Sequence, residues 1–405
     1  MPVYRLQNVI QPYAWGSFTA IAELLGNSGP TPDPQAELWM GTHPRGPSSV
    51  MVDGELFSLA ALIEKNPDSI LAPWVSRWFG GHLPFLFKVL AVDQPLSIQA
   101  HPDALLAREG FERENKEGKP LDAGDRNYRD DNHKPELVCA LTRFWALTGF
   151  RPVEEAVHLL EPVCPDALLP ELAEMQRKPP ENGLQPFFKA MMTLGTDDRS
   201  AACDEIQAKL DTRVDLNIPA YQWMRRLATA CPQDIGVLAP AFLNLVCLAP
   251  GQALYLPPGQ LHAYLKGLAL ELMANSDNVL RGGLTTKHVD VPELLRVVRF
   301  EPSLVEVLTP VPDLPGEARF LCPATEFSLS VIRTGHTSAY HSPFQRSVDI
   351  LLCTEGNGVL VAGGEAHSLK KGESVLLPAD MGTYVIEGEL VVYRATVPLQ
   401  GKMFF

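Results

Sequence analysis

The chain has 405 residues, 46% hydrophobic and 20% charged, a balance that supports two or three domains with real cores and excludes wholesale disorder. Its 34 basic and 48 acidic side chains leave a formal net charge of −14, so nucleic acid and anionic membranes are poor partners. An anionic small substrate fits such a chain only where basic groups gather locally.

Seven cysteines are scattered without a C-x-x-C pair, the pattern of reduced thiols in a cytoplasmic protein. The opening Met1-Pro2-Val3-Tyr4-Arg5 lacks the charged-then-apolar order of a signal peptide. The most apolar stretch, 237–256, is interrupted by Pro240, Asn244 and Pro250, which predicts a buried strand and not a membrane span. A cytoplasmic location is expected.

Taken in chain order, the first clear strand is Pro84–Val92, a short apolar run bounded by turn residues. In Leu96-Ser97-Ile98-Gln99-Ala100-His101, extended backbone places Ser97, Gln99 and His101 on one face and Ile98 and Ala100 on the other. Such a polar stripe suits a ligand site, or the open face of an edge strand. In Asn132-His133-Lys134-Pro135-Glu136, proline holds the backbone extended, with Glu136 at the mouth of an apolar strand and Lys134 on its side. That pair reads as a metal-binding carboxylate with a proton-shuttling or anion-meeting lysine, or as a surface ion pair.

From about Val153 to Cys231 the period changes to helical. Val157, Leu160 and Val163, then Leu169, Leu172 and Met175, and later Ile206, Leu210, Trp223 and Leu227 recur at helical spacing. Gly195-Thr196-Asp197-Asp198 marks a helix boundary. Strands return at Phe242–Leu248 and Ala253–Leu256, the latter running through Pro257-Pro258-Gly259 to His262 and Tyr264. Two imidazoles, a carboxylate and an amide oxygen make a mixed set that zinc tolerates, though spacing alone does not establish that they converge.

Between Leu268 and Leu272, alternation puts the leucines on one face and Glu271 on the other. A polar turn containing Asp277 follows, then Arg281 before Gly282-Gly283, and Lys287. Glycines permit close approach of backbone to ligand, and Arg suits the forked recognition of phosphate. The tail from about Gly316 predicts strands at 327–332, 349–353, 358–362, 374–378 and 390–395, with turns at Glu355-Gly356-Asn357-Gly358 and Gly363-Gly364. Together these elements predict a mainly β protein, with a helical insertion and a small jelly-roll-like tail.

Tyr13-Ala14-Trp15-Gly16, Glu37-Leu38-Trp39-Met40-Gly41, Pro84-Phe85-Leu86-Phe87-Lys88, the Ser97–Asp103 run, Asn132–Glu136 and Asn275–Lys287 jointly resemble the type I mannose-6-phosphate isomerase family, in order from Tyr13 to about Asp290. The resemblance lapses across the helical stretch and is weak in the tail. It implies cupin-type β domains divided as 1–152 and 241–312 for a catalytic domain, 153–240 for the helical insertion and 313–405 for a C-terminal β domain. It implies one zinc ion on Gln99, His101, Glu136 and His262, and an arginine at the active site matching Arg281. Candidates for the proton-transfer base are Lys134, Glu271, Asp277 and His133, and the sequence does not choose among them. Substrate contacts are expected from Trp15, Lys88, Ser97, Tyr264 and Lys287. Thr286 departs from the family, whose members commonly carry proline there, so the loop holding Lys287 is expected to be looser.

The implied reaction interconverts mannose 6-phosphate and fructose 6-phosphate through an enediol, in a monomeric enzyme with a sugar phosphate as its partner. Two alternatives use the same features. A cupin dioxygenase would place iron on two His and one carboxylate, and a non-catalytic sugar-binding cupin would not need Lys134 or Arg281.

Overall fold

The computed structural model describes residues 2–178, 180–212 and 214–399. Its organising element is a long strand, His262–Ala274, at the centre of a ten-stranded sheet. The first part of this strand pairs with Phe144–Phe150 and, at His262, with Gln99 of the two-residue Gln99–Ala100 strand. Its second part pairs with Phe85–Val92 on one side and Glu136–Ala140 on the other. Between the two parts the strand bends at Gly267, where φ is +126° and an added Cβ would lie 2.5 Å from the Arg143 carbonyl oxygen. Only glycine meets both demands at little cost.

Side-chain alternation divides this sheet into two faces. Phe85, Phe87, Val89, Leu137, Cys139, Leu270 and Leu272 pack against Phe327, Leu329, Ile350, Leu352 and Tyr393 of the C-terminal sheet. Lys88, Glu136 and Glu271 point the other way, into a cavity. The alternation expected around Glu271 is therefore observed, with Leu270 and Leu272 supplying the buried apolar partners.

The helices run from Val153–Leu160 to Ala239–Phe242, between the strands Phe144–Phe150 and Leu243–Leu248. Those two strands pair directly with each other, so the helices form an excursion from one sheet edge. They do not keep a core of their own. Phe188, Phe242, Trp223 and Leu227 share one apolar cluster with Ile98, Leu147, Leu261 and Leu265 of the sheet. Gly195 separates the helices Pro180–Thr193 and Thr196–Thr212, as its place in the sequence suggested.

The tail supplies most strands of a nine-stranded antiparallel sheet built on Ser328–Thr334, Asp349–Ala362 and Tyr384–Thr396. Gly363-Gly364 is the tight turn expected, with φ of +59° and +82° at the two positions. The turn expected at 355–358 is not one. The strand continues through it with a register shift between Cys353 and Glu355. Its glycines instead permit close strand contact: a Cβ on Gly358 would stand 2.1 Å from the Glu387 carbonyl oxygen. Tyr4–Arg5 also pairs with Ser374–Leu377, so the N-terminus belongs to the C-terminal sheet. No described helix is long and apolar enough to cross a membrane.

Candidate active site and metal centre

Strand register assembles the site. His262 lies opposite Gln99, Met273 opposite Glu136, and Glu271 opposite Lys88, while Arg281 lies opposite Gln99 on its other side. Residues about 160 positions apart thus meet because one strand spans both halves of the sheet.

At the base of the cavity the reactive atoms of His101, Glu136 and His262 all lie within 4.8 Å of one another. All three are buried, at 2%, 1% and 1% exposure. Each imidazole has its Nδ1 against a backbone carbonyl, His101 at 2.7 Å from Asn278 and His262 at 2.9 Å from Gln260. These bonds place the proton on Nδ1 and leave the Nε2 lone pair facing inward. His101 Nε2 stands 3.1 Å from Glu136 Oε1, and His262 Nε2 stands 3.4 Å from Glu136 Oε2. Burial, reinforced by Lys134, pulls His101 down to about 4, so at neutral pH its ring is an acceptor facing a carboxylate. Neither His101 Nε2 nor Glu136 Oε1 makes a well-formed hydrogen bond, although both are fully buried. Acceptor against acceptor is unfavourable unless a cation lies between. Gln99 completes the group, its amide 3.3 Å from His262 Nε2, and a half-turn of that amide presents its oxygen instead. Two imidazoles, one carboxylate and one amide oxygen fit a single zinc-type ion with room for a further ligand.

The residues around this centre carry opposed charges. Lys134 Nζ is 2.9 Å from Glu136 Oε1. The Tyr264 hydroxyl donates to Glu136 Oε2 at 3.2 Å, so Tyr264 orients the carboxylate as well as lining the cavity. Burial raises Glu136, but Lys134 and His101 outweigh it and hold the carboxyl well below its usual range. Beside it, Lys88 is buried between Glu271 at 3.0 Å and Glu37 at 3.5 Å. Burial opposes the ammonium, yet the two carboxylates push Lys88 up and keep it charged. With two carboxyls for one ammonium, burial moves Glu271 up.

Towards the opening the cavity becomes basic, with Arg45, Arg129, Arg281 and Lys287 in its wall. Burial and then Arg129 lower Arg281; burial and then Arg281, Arg129 and Arg45 lower Lys287. Arg45 is paired with Asp277. The side chains of Arg129, Arg281 and Lys287 have no carboxylate partner among the described residues, which leaves them for an anion. Trp15 and Ser97 line the same cavity, whose volume is about 1530 Å³.

Of the candidate bases, the structure brings three to the cavity and leaves one outside. His133 Nε2 lies 2.7 Å from Glu326 Oε1, and His133 is not among the lining residues. The reason is alternation: Lys134 and Glu136 share a face, so His133 takes the other. Asp277 lines the cavity, but its bond to His43 and the charge of Arg45 outweigh burial and hold it at about 2. A carboxylate that acidic is a weak base near neutrality. Lys134 and Glu271 remain.

Sequence reasoning assigned no role to Glu37, Trp39, His43, Arg45 or Arg129, all of which line the cavity. For Glu37 and Trp39 a signal was present, since the motif containing them was singled out and Trp39 lies opposite Lys88. Arg129 gave none, since it lies outside every motif singled out in the sequence.

A buried His-Glu-His centre inside an antiparallel β sheet, with charged side chains around it, defines a metal-dependent cupin enzyme. Residues 3–153 match the catalytic-domain model of type I phosphomannose isomerase, and residues 317–397 match the cupin-domain model of mannose-6-phosphate isomerase. The chain is 41% identical to mannose-6-phosphate isomerase of Escherichia coli strain K12 over 95% of its own length and 97% of the relative's. It is 33% identical to mannose-6-phosphate isomerase 1 of Arabidopsis thaliana, covering 97% and 93%. A single-residue variant of phosphomannose isomerase from Salmonella typhimurium superposes with a TM-score of 0.92 at 40% identity, covering 98% of this chain and all (100%) of that one. A mannose 6-phosphate isomerase solved with zinc bound gives 0.91 at 40% identity, with the same coverage of 98% and 100%. The chain belongs to the type I phosphomannose isomerase family.

Proposed function

We propose that this chain interconverts mannose 6-phosphate and fructose 6-phosphate by moving a proton between C2 and C1 of the open-chain sugar, and that it does so as a monomer. The observation that carries the reading is the juxtaposition of the acceptor-lined His101–Glu136–His262 centre with the unpaired cations Arg129, Arg281 and Lys287 in one cavity. The first suits the carbonyl end of the substrate and the second its negative charge, on the phosphate and on the enediolate oxygen.

Gln99, His101, Glu136 and His262 would hold the zinc ion, which would supply Lewis-acid polarisation of the substrate's carbonyl end. The remaining steps belong to the protein. Glu271 is the base that best fits the site, being buried, facing the cavity and raised above its ordinary value by that burial. It takes the proton from C2 as the C1 carbonyl becomes the enediolate oxygen. Lys134 stands beside Glu136 to stabilise that developing charge. The C2 hydroxyl proton passes to the C1 oxygen, Glu271 returns its proton to C1, and the C2 carbonyl of the ketose forms. Lys88 keeps Glu271 oriented throughout. Trp15 and Ser97 bound the sugar, Lys287 anchors its phosphate so that the reacting carbons are held in place, and Arg281 meets the charge that develops as the enediolate forms.

The reading is tested by incubating the zinc-loaded protein with mannose 6-phosphate while following fructose 6-phosphate and dissolved oxygen together. Ketose formation with no oxygen uptake is expected. Iron-dependent oxygen uptake without ketose would establish the dioxygenase, and binding of the sugar phosphate with neither change would establish a sugar-binding cupin.

A further inference from the structure

The loop that carries Arg281 and Lys287 is held from two sides. On the sheet side, Gly282 N–H donates to the Ile98 carbonyl at 2.8 Å, and Ile98 N–H donates to that of Gly283 at 3.0 Å. On the other side stands the helical segment. Asp234 caps the short helical turn Ile235–Leu238, its Oδ1 accepting from Gly236 N–H at 2.8 Å. Its second oxygen, Oδ2, reaches across to accept from Thr285 N–H at 2.9 Å.

The close approach that permits this bond is built from glycines on both sides. A Cβ on Gly236 would lie 3.0 Å from Leu284 N and 3.3 Å from Gly283 Cα, and one on Gly283 would lie 3.2 Å from Gly236 Cα. Between Gly283 and Thr285, Leu284 is buried at 5% exposure with φ of +53°, a conformation that a branched residue keeps only where its surroundings over-determine it. Burial of its side chain and the Asp234–Thr285 bond are the restraints. Thr286, Lys287 and His288 beyond them are exposed.

We propose that Asp234 is a positioning residue for the isomerisation: by clamping Thr285 it fixes the backbone from which Lys287 reaches the substrate phosphate. The carboxylate does from the helical segment what a proline at 286 would do within the loop, so the loop is anchored although Thr286 stands there. Its role rests on the reading of Lys287 as a phosphate contact. Since a held ground-state contact is lost, the Michaelis constant carries the effect and the chemical step does not.

The test is a double-mutant cycle on the zinc-loaded enzyme, with kcat and KM for mannose 6-phosphate, zinc content and thermal midpoint measured for Asp234→Ala, Lys287→Gln and the pair. Asp234→Ala should raise KM about tenfold and leave kcat within about twofold, the scale of one charge-assisted hydrogen bond. Lys287→Gln should raise KM at least as much, and the pair should be no worse than Lys287→Gln alone, because Asp234 acts through Lys287. Should alanine at 234 lower the thermal midpoint and leave too little folded enzyme, Asp234→Asn, which keeps the shape and one acceptor, takes its place in the cycle. An unchanged KM in the Asp234 variant, or losses that multiply in the pair, overturns the inference while leaving Lys287 as a phosphate contact. An unchanged KM in Lys287→Gln alone overturns the reading of Lys287 itself.

Discussion

Glu136→Gln should remove zinc and activity together and also destabilise the metal-free protein. The carboxylate sits between two imidazole acceptors and accepts from Tyr264, with Lys134 2.9 Å away. Glutamine keeps the size but not the charge that draws the ion into the site. Loss of hydrogen-bond partners outside a coordination sphere already costs about 10–100-fold in affinity or activity. Loss of a ligand should therefore exceed about a hundredfold in kcat at stoichiometric zinc. Lys134, itself buried, would also lose its counter-charge, and breaking a buried pair from one side typically costs about 3–5 kcal/mol. Denaturant unfolding of the chelated wild-type and variant proteins checks the second effect, and zinc content with kcat checks the first. Wild-type zinc content and turnover in the variant would show that Glu136 is not a ligand.

Arg281→Lys should lower kcat about tenfold to a hundredfold with little change in KM and with zinc content intact, the scale of one charged hydrogen bond of about 1.5–3 kcal/mol. Arg281 is half-buried beside Gly282-Gly283 and directly across from Gln99 in register. That register sets Arg281 beside a residue of the metal set, in the wall of the same cavity, and on the proposed reading its guanidinium meets charge that develops as the enediolate forms. Lysine keeps the charge and loses the planar fork. Should the loss appear in KM with kcat unchanged, Arg281 holds only the ground-state phosphate. Wild-type values for both constants would make it a solvated loop residue.

How much was legible in advance follows from what each inference used. Alternation needs only neighbours in sequence, and it placed Gln99 with Ser97, Lys134 with Glu136, and Glu271 away from Leu270 and Leu272. Applied one residue further, it would also have removed His133. The metal set was named through the family resemblance, since nothing local tells Glu136 that His262 lies 3.4 Å away. What stayed hidden was long-range and polar. Arg129 is held by its backbone N–H donating to Asn278 Oδ1 at 2.7 Å, a contact across 149 positions that no periodicity announces. Asp234 caps a helical turn, and its second oxygen acts on a loop 51 positions away, which its place in the sequence does not announce. Glycines at 356 and 358 misled because the chemistry that makes a turn also lets two strands touch.

The most direct test of the account is metal removal. The chain is treated with chelator until zinc is gone, the chelator is removed, and conversion of mannose 6-phosphate to fructose 6-phosphate is measured as zinc is titrated back. The account predicts no turnover in the metal-free protein, recovery that rises linearly with added zinc, and a plateau at one equivalent per chain. Full turnover in protein shown to hold no metal would contradict it.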